Sequence, residues 1–181
     1  METRLETKRL LLRRARLADA EAYLKIRNSE FVLRYNAMEP VSPKEVLDQL
    51  AEDRESDRAF YLEERSGKRL IGGVWLAEDS LRRGISALSL EYFLGEEFAG
   101  QGLMTEALEA VVRYGFSQWE VELLSARVFR ENTGSRRVLE KLGFTREGIL
   151  RQAVKGYRGI VHDDMVFSLL REQYIRQQQG E

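Results

Sequence analysis

Apolar and polar residues alternate from Leu88 through Leu90, Tyr92 and Leu94, and apolar residues then recur three or four apart at Met104, Ala107, Leu108, Val111 and Val112. The first period is that of a strand and the second that of a helix. Between them lie Gly100 and Gly102, so a strand is predicted to turn through glycines into an amphipathic helix that runs to about Trp119. The same criteria place a strand over residues 9–17 and a helix from Asp19 to about Asn28, with Ala22, Tyr23 and Ile26 inward. Ser42-Pro43-Lys44-Glu45 is a capping box with proline at the first helical position, opening a helix to about Glu55 that carries Val46, Leu47 and Leu50 inward.

Residues 59–64 and 70–76 flank the turn Ser66-Gly67-Lys68 and predict a hairpin, with Gly72 and Gly73 marking a bulge or a close backbone approach. Residues 123–129 predict a strand, and 144–154 with 160–169 a last hairpin. The polar stretch 171–181 is expected to fray. The expected fold is α/β in the broad sense: one mixed sheet with helices on both faces, in a single domain over residues 1–181.

Composition narrows the class. With 181 residues, 43% hydrophobic and 33% charged, the chain is long enough for one core and too polar to be a membrane protein. A formal net charge of -1 gives no general attraction to nucleic acid. The basic opening strand, with Lys8, Arg9, Arg13, Arg14 and Arg16, is read as solvated side chains on an edge. No cysteine is present, which removes disulfides and cysteine nucleophiles and is compatible with a reducing cytoplasm. The first residues lead into no apolar run, so neither a signal peptide nor a membrane span is expected.

The glycine turn carries the first candidate chemistry. The first N–H groups of a helix have no intrahelical partners and sit at its positive end, so a turn kept open by Gly100 and Gly102 can hold a phosphate. It is no Walker loop, because Gly102-Leu103-Met104-Thr105 lacks the lysine. Nor is it a dinucleotide fingerprint, since residues 95–99 separate strand from glycines. A second motif follows in residues 130–144: a short helix capped near Asn132 and stopped at Gly143. At about 100° per residue, Asn132, Ser135 and Leu139 share one of its faces.

Together, Gly-Gln-Gly-Leu-Met-Thr-Glu-Ala and the later Asn-x-x-Ser with Lys-Leu-Gly-Phe resemble the GNAT superfamily of acetyl coenzyme A dependent N-acetyltransferases, most closely its RimJ/RimL-like branch. Glu6 to Arg13 looks like that branch's opening strand. The resemblance implies a splayed, mostly antiparallel sheet and acetyl coenzyme A as co-substrate, with no metal. It implies that Ala99, Gly100, Gln101, Gly102, Leu103, Met104 and Thr105 receive the pyrophosphate, and that Tyr92, Phe93 and Leu94 line the pantetheine arm. Asn132, Ser135 and Arg137 complete the cofactor side, with Arg136 and Lys141 as further candidates for the remaining phosphate. Phe93 or Leu94 is expected to supply an oxyanion-stabilising N–H.

Family members often carry a catalytic tyrosine seven residues after the asparagine, and here that position is Leu139. By resemblance Ser135 then serves the leaving thiolate, against the plainer account of a helix-start serine. Glu91 is the candidate base, Glu39 a weaker one, and a solvated strand glutamate is the competing account of Glu91. His162 is the lone histidine, and without a Gly-x-Ser-x-Gly elbow it reads as structural. Glu97 stands where the family has glutamine or arginine, a carboxylate that must point away from a pyrophosphate.

The implied activity moves acetyl to a primary amine, either a protein N-terminus of the ribosomal kind or a small molecule. Residues 31–40 and the last hairpin are expected to wall the acceptor pocket. The expected protein is cytoplasmic, binds no nucleic acid or membrane, and is a monomer or homodimer. A coenzyme A sensor without turnover is the alternative that Leu139 and Glu97 suggest, and a nucleotide-phosphate protein is a remoter one.

Overall fold

A computed structural model describes residues 4–180. Among these residues eight strands, β1 (Leu5–Glu6), β2 (Leu10–Arg13), β3 (Ala59–Glu64), β4 (Arg69–Glu78), β5 (Ala87–Leu94), β6 (Leu123–Phe129), β7 (Thr145–Lys155) and β8 (Val161–Leu170), form one sheet in the order β1-β2-β3-β4-β5-β6-β8-β7. Among the described residues six α-helices accompany it: α1 (Ala20–Arg27), α2 (Glu30–Leu33), α3 (Pro43–Glu55), α4 (Leu103–Gln118), α5 (Thr133–Lys141) and α6 (Arg171–Gln179). Every neighbouring pair is antiparallel except β5 with β6.

That parallel pair is where the sheet opens. Its ladder runs from Ala87 opposite Leu123 to Leu90 opposite Ala126 and then stops, although β5 continues to Leu94 and β6 to Phe129. Beyond the stop β6 stays on β8, as far as Phe129 opposite Asp164, while β5 stays on β4. The two halves therefore part and leave one edge of each strand unpaired.

Alternation along β5 sends its residues to two cores. Leu88 and Leu90 pack with Ala107, Leu108 and Val111 of α4, whose stripe of Met104, Ala107, Leu108, Val111 and Val112 is buried as the spacing predicts. On the other face Phe93 joins Tyr23, Val46, Leu50 and Tyr61. Trp75 stacks on Phe93 with ring centroids 5.0 Å apart. The buried Asp53 carboxylate is satisfied there by the Tyr61 hydroxyl at 2.7 Å and the Trp75 indole N–H at 2.8 Å.

Gly72 meets the expectation of a close approach: a Cβ there would lie 2.2 Å from the Phe93 carbonyl oxygen. A bulge is also present, since the β3–β4 register shifts between Leu62 and Glu63.

The structure corrects several expectations. The first strand is shorter, because the chain leaves β2 after Arg13 and enters a 3-10 turn at Leu17–Asp19. Asp19 does not cap α1 with its side chain. Its carboxylate instead takes the Arg13 guanidinium at 2.8 and 2.9 Å and the Arg16 N–H at 2.8 Å. Arg13 is buried between Asp19 and Glu63, so the opening strand is no solvated edge; β1 and β3 flank it. Buried charges of this kind persist when paired and hydrogen-bonded.

Ala22 and Leu47 face outward, the latter 44% exposed. Residues 171–179 form a helix that docks rather than frays. Tyr174 stacks on Phe116 at 4.9 Å, and the Arg171 guanidinium donates to the carbonyls of Phe116, Trp119 and Val121 at 2.6–2.7 Å. Those include carbonyls that the end of α4 leaves without intrahelical donors. Among the described residues no helix is long and apolar enough to cross a membrane.

Candidate active site

The turn before α4 has the shape its glycines predict. Gly100 and Gly102 have φ of +73° and +74°, in the left-handed region where L side chains are strained. A Cβ at Gly100 would meet nothing within 4 Å, so backbone conformation, not crowding, requires glycine there. No acceptor within the described chain takes the N–H groups of Gln101, Gly102, Leu103, Met104 or Thr105, and Gly102 caps α4 without a side chain. These donors stand at the positive end of a 16-residue helix, a setting that favours an anion.

The turn is braced from behind by the link between β1 and β2. Arg9 donates to the Gln101 carbonyl at 2.9 Å and to the Glu106 carboxylate at 2.7 Å, and the Thr7 hydroxyl donates to Glu106 at 2.6 Å. Burial would raise the Glu106 carboxyl, but the Thr7 hydroxyl and the Arg9 backbone N–H and guanidinium hold it below the ordinary carboxylate range. Glu97 does point away: Arg69 draws its carboxylate off at 3.4 Å.

Beside the turn, β5 presents its free edge. Gly95 N–H donates to Ile71 at 2.8 Å, and the Phe93 carbonyl faces Gly72, so the odd residues of β5 bond to β4 and the even ones face the opening. Phe93 N–H is thereby committed to β4, which corrects its place among the oxyanion candidates. Of the two expected donors, Leu94 alone faces the gap.

Across the gap, the Asn132 side chain caps α5 by accepting the Ser135 N–H at 3.0 Å. A cleft of about 510 Å³ runs between β5, the turn and α5, lined by Phe31, Tyr92, Phe93, Leu94, Phe98, the turn from Ala99 through Gly100, Gly102, Leu103 and Met104 to Thr105, and Asn132, Ser135 and Arg137. Of the residues expected at the pyrophosphate and the pantetheine arm, Gln101 alone is absent from this lining; its side-chain amide turns back to the Glu97 carbonyl at 2.8 Å.

A second cleft of about 290 Å³ opens on the other side, lined by Ala37, Met38, Glu78, Asp79, Ser80, Glu91, Arg127 and Asp164. Both clefts share Tyr35, Asn36, Tyr92, Asn132 and Ser135. The apolar cleft with its free amides fits a pantetheine arm ending in a pyrophosphate, and the polar one fits an amine.

Other expected residues fall outside. Leu139 is fully buried in the core. Glu39 lines neither cleft, and His162 stacks on Phe129 at 4.2 Å with Glu131 at 3.5 Å. Lys141 lines a depression against α6, and Arg136 lies apart from both clefts. Sequence reasoning missed the polar frame of the second cleft, where Asp79 accepts the Ser125 hydroxyl at 2.7 Å and Asp164 accepts Arg127 at 2.6 Å. No local motif marks these residues, because strand pairing alone brings them together.

A sheet that parts beside an anion-receptive helix start, with a second cleft meeting the first at one serine, defines an acyl coenzyme A dependent transferase. The chain belongs to the GNAT family: residues 9–145 match the model of an acetyltransferase (GNAT) domain. It is 31% identical over 176 residues to the uncharacterized N-acetyltransferase YoaA of Bacillus subtilis (strain 168), covering 92% of this chain and 96% of that one. It is 33% identical over 104 residues to the [ribosomal protein uS5]-alanine N-acetyltransferase of Escherichia coli (strain K12), a match spanning 56% of this chain and 53% of the relative.

A solved structure of RimL, a ribosomal L7/L12 alpha-N-protein acetyltransferase, in complex with coenzyme A, superposes with a TM-score of 0.80 at 19% identity, covering 94% and 99% of the two chains. The protein is accordingly an N-acetyltransferase of the GNAT family.

Proposed function

We propose that this single-domain enzyme acetylates the α-amino group of a protein or peptide, which enters through the polar cleft. The observation that carries this reading is the meeting of the two clefts at Tyr92, Asn132 and Ser135, with Glu91 and Asp79 on the acceptor side alone. A cleft bearing carboxylates attracts an ammonium group, and the uS5-alanine acetyltransferase among the relatives supports a protein N-terminus as the source of it.

Acetyl coenzyme A, when bound, supplies the acetyl group as a thioester. The chain's own residues do the rest. The free amides from Gln101 to Thr105 hold the pyrophosphate, and Arg137 adds a cation. Leu94 N–H, facing the gap, is placed to stabilise charge on the carbonyl oxygen. Glu91, exposed in the polar cleft, takes the proton of the incoming ammonium through water. Ser135, fixed by the cap of Asn132, hydrogen-bonds the departing sulfur.

Thiol release with a panel of amines tests the acceptor. Peptides with a free N-terminal alanine or serine are expected to release thiol, and the same peptides with blocked N-termini are not. Turnover confined to polyamines or to lysine side chains contradicts the reading.

A further inference from the structure

The row of β5 side chains that faces α4 and α5 reads Leu88, Leu90, Tyr92, Leu94, and Tyr92 is the member with a polar tip. Its hydroxyl is buried and has no hydrogen-bond partner. Native folds rarely leave such a group unsatisfied, since phenylalanine would fill the same space without stranding a donor. Tyr92 also lines both clefts, and Ser135 lies on both linings with it.

Burial pushes the phenol up to about 12, and the nearby Ser135 hydroxyl pulls it back somewhat. One turn further along the same face of α5, Leu139 is fully buried and offers no donor.

We propose that Tyr92 is a positioning residue whose hydroxyl donates to Ser135 Oγ when the clefts fill, turning the serine's own proton toward the departing sulfur. The proposal rests on the reading of Ser135 given above. Two hydroxyls in series then serve the departing sulfur. Neither gives up its proton. The C–N bond forms, the C–S bond breaks with its electron pair left on sulfur, and the proton shed by the acceptor nitrogen is the one that ends on sulfur. A phenol held near 12 keeps its proton beside a thiol of about 8.5, as this role requires.

Tyr92→Phe keeps the ring and removes the donor. Its kcat is expected to fall about tenfold while the KM for acetyl coenzyme A stays within about threefold, the pattern of an interaction made only in the transition state. Its melting temperature is expected to equal or exceed that of the parent, because an unpaired buried hydroxyl is gone. The thiol of bound coenzyme A, followed by thiolate absorbance, is expected to titrate at higher pH in the variant.

The double variant Tyr92→Phe/Ser135→Ala is expected to be no slower than Ser135→Ala alone. Additive losses, or an unchanged kcat in Tyr92→Phe, overturn the proposal. Parent-like turnover in Ser135→Ala overturns the Ser135 reading itself, and a loss in Tyr92→Phe beside it shows a hydroxyl that acts without the serine, which also overturns the relay.

Discussion

The two clefts that meet at Ser135 are built from different material. The larger one takes its polar contacts from main-chain amides held by two left-handed glycines and a helix start. The smaller one is made of side chains, Glu78, Asp79, Glu91, Arg127 and Asp164, that come from four strands and a loop. On the reading proposed above, main chain recognises a pyrophosphate and an amide-bearing arm and tolerates change in most side chains around it. Side chains recognise what differs, the acceptor. Cofactor binding should therefore be sensitive to backbone conformation and acceptor choice to side-chain identity.

The largest effect should come from the glycines. Gly102→Val forces a β-branched residue to a φ of +74°, and coenzyme A affinity by calorimetry should weaken about 100-fold, matching roughly 3 kcal/mol of backbone strain. An unchanged affinity would break the contrast between the clefts. Ser135→Ala should lower kcat about 100-fold with the coenzyme A dissociation constant within about threefold, since it touches the departing group and not the cradle. Glu91→Gln should lower kcat/KM for the amine about tenfold, with coenzyme A binding unaffected.

Glu106→Gln should act most gently, by loosening the brace behind the turn. Hydrogen bonds keep the folded Glu106 carboxyl below its ordinary value of 4.5, so its contribution is present in full above that value and disappears as pH falls through the lower folded one. The variant should thus melt below the parent at neutral pH, by the equivalent of ~1 kcal/mol, and the gap should close in acid.

Legibility in the sequence follows the same division. The turn and α4 were readable from Gly100, Gly102 and the stripe at Met104 to Val112, and β6 from its apolar run, because period and glycine report backbone directly. The cap at Asn132 was readable for the same reason. The acceptor cleft was readable only as residues 31–40 and the last hairpin, which brings Val154 and Asp164; Asp79 and Arg127 were not, because they become neighbours of these only through the order of strands. The docking of α6 was hidden too: its anchor is Arg171 reaching carbonyls at the far end of α4, which a polar stretch of glutamines gives no sign of. Arg13 misled by its charge, since the pairing that buries it lies in Asp19 and Glu63.

Backbone amide shifts during a coenzyme A titration test the cradle most directly. The amides of Gln101, Gly102, Leu103, Met104 and Thr105 should move downfield together and saturate at one dissociation constant, with Leu94 following when acetyl coenzyme A replaces coenzyme A. Tight binding that leaves those amides where they were would contradict the account.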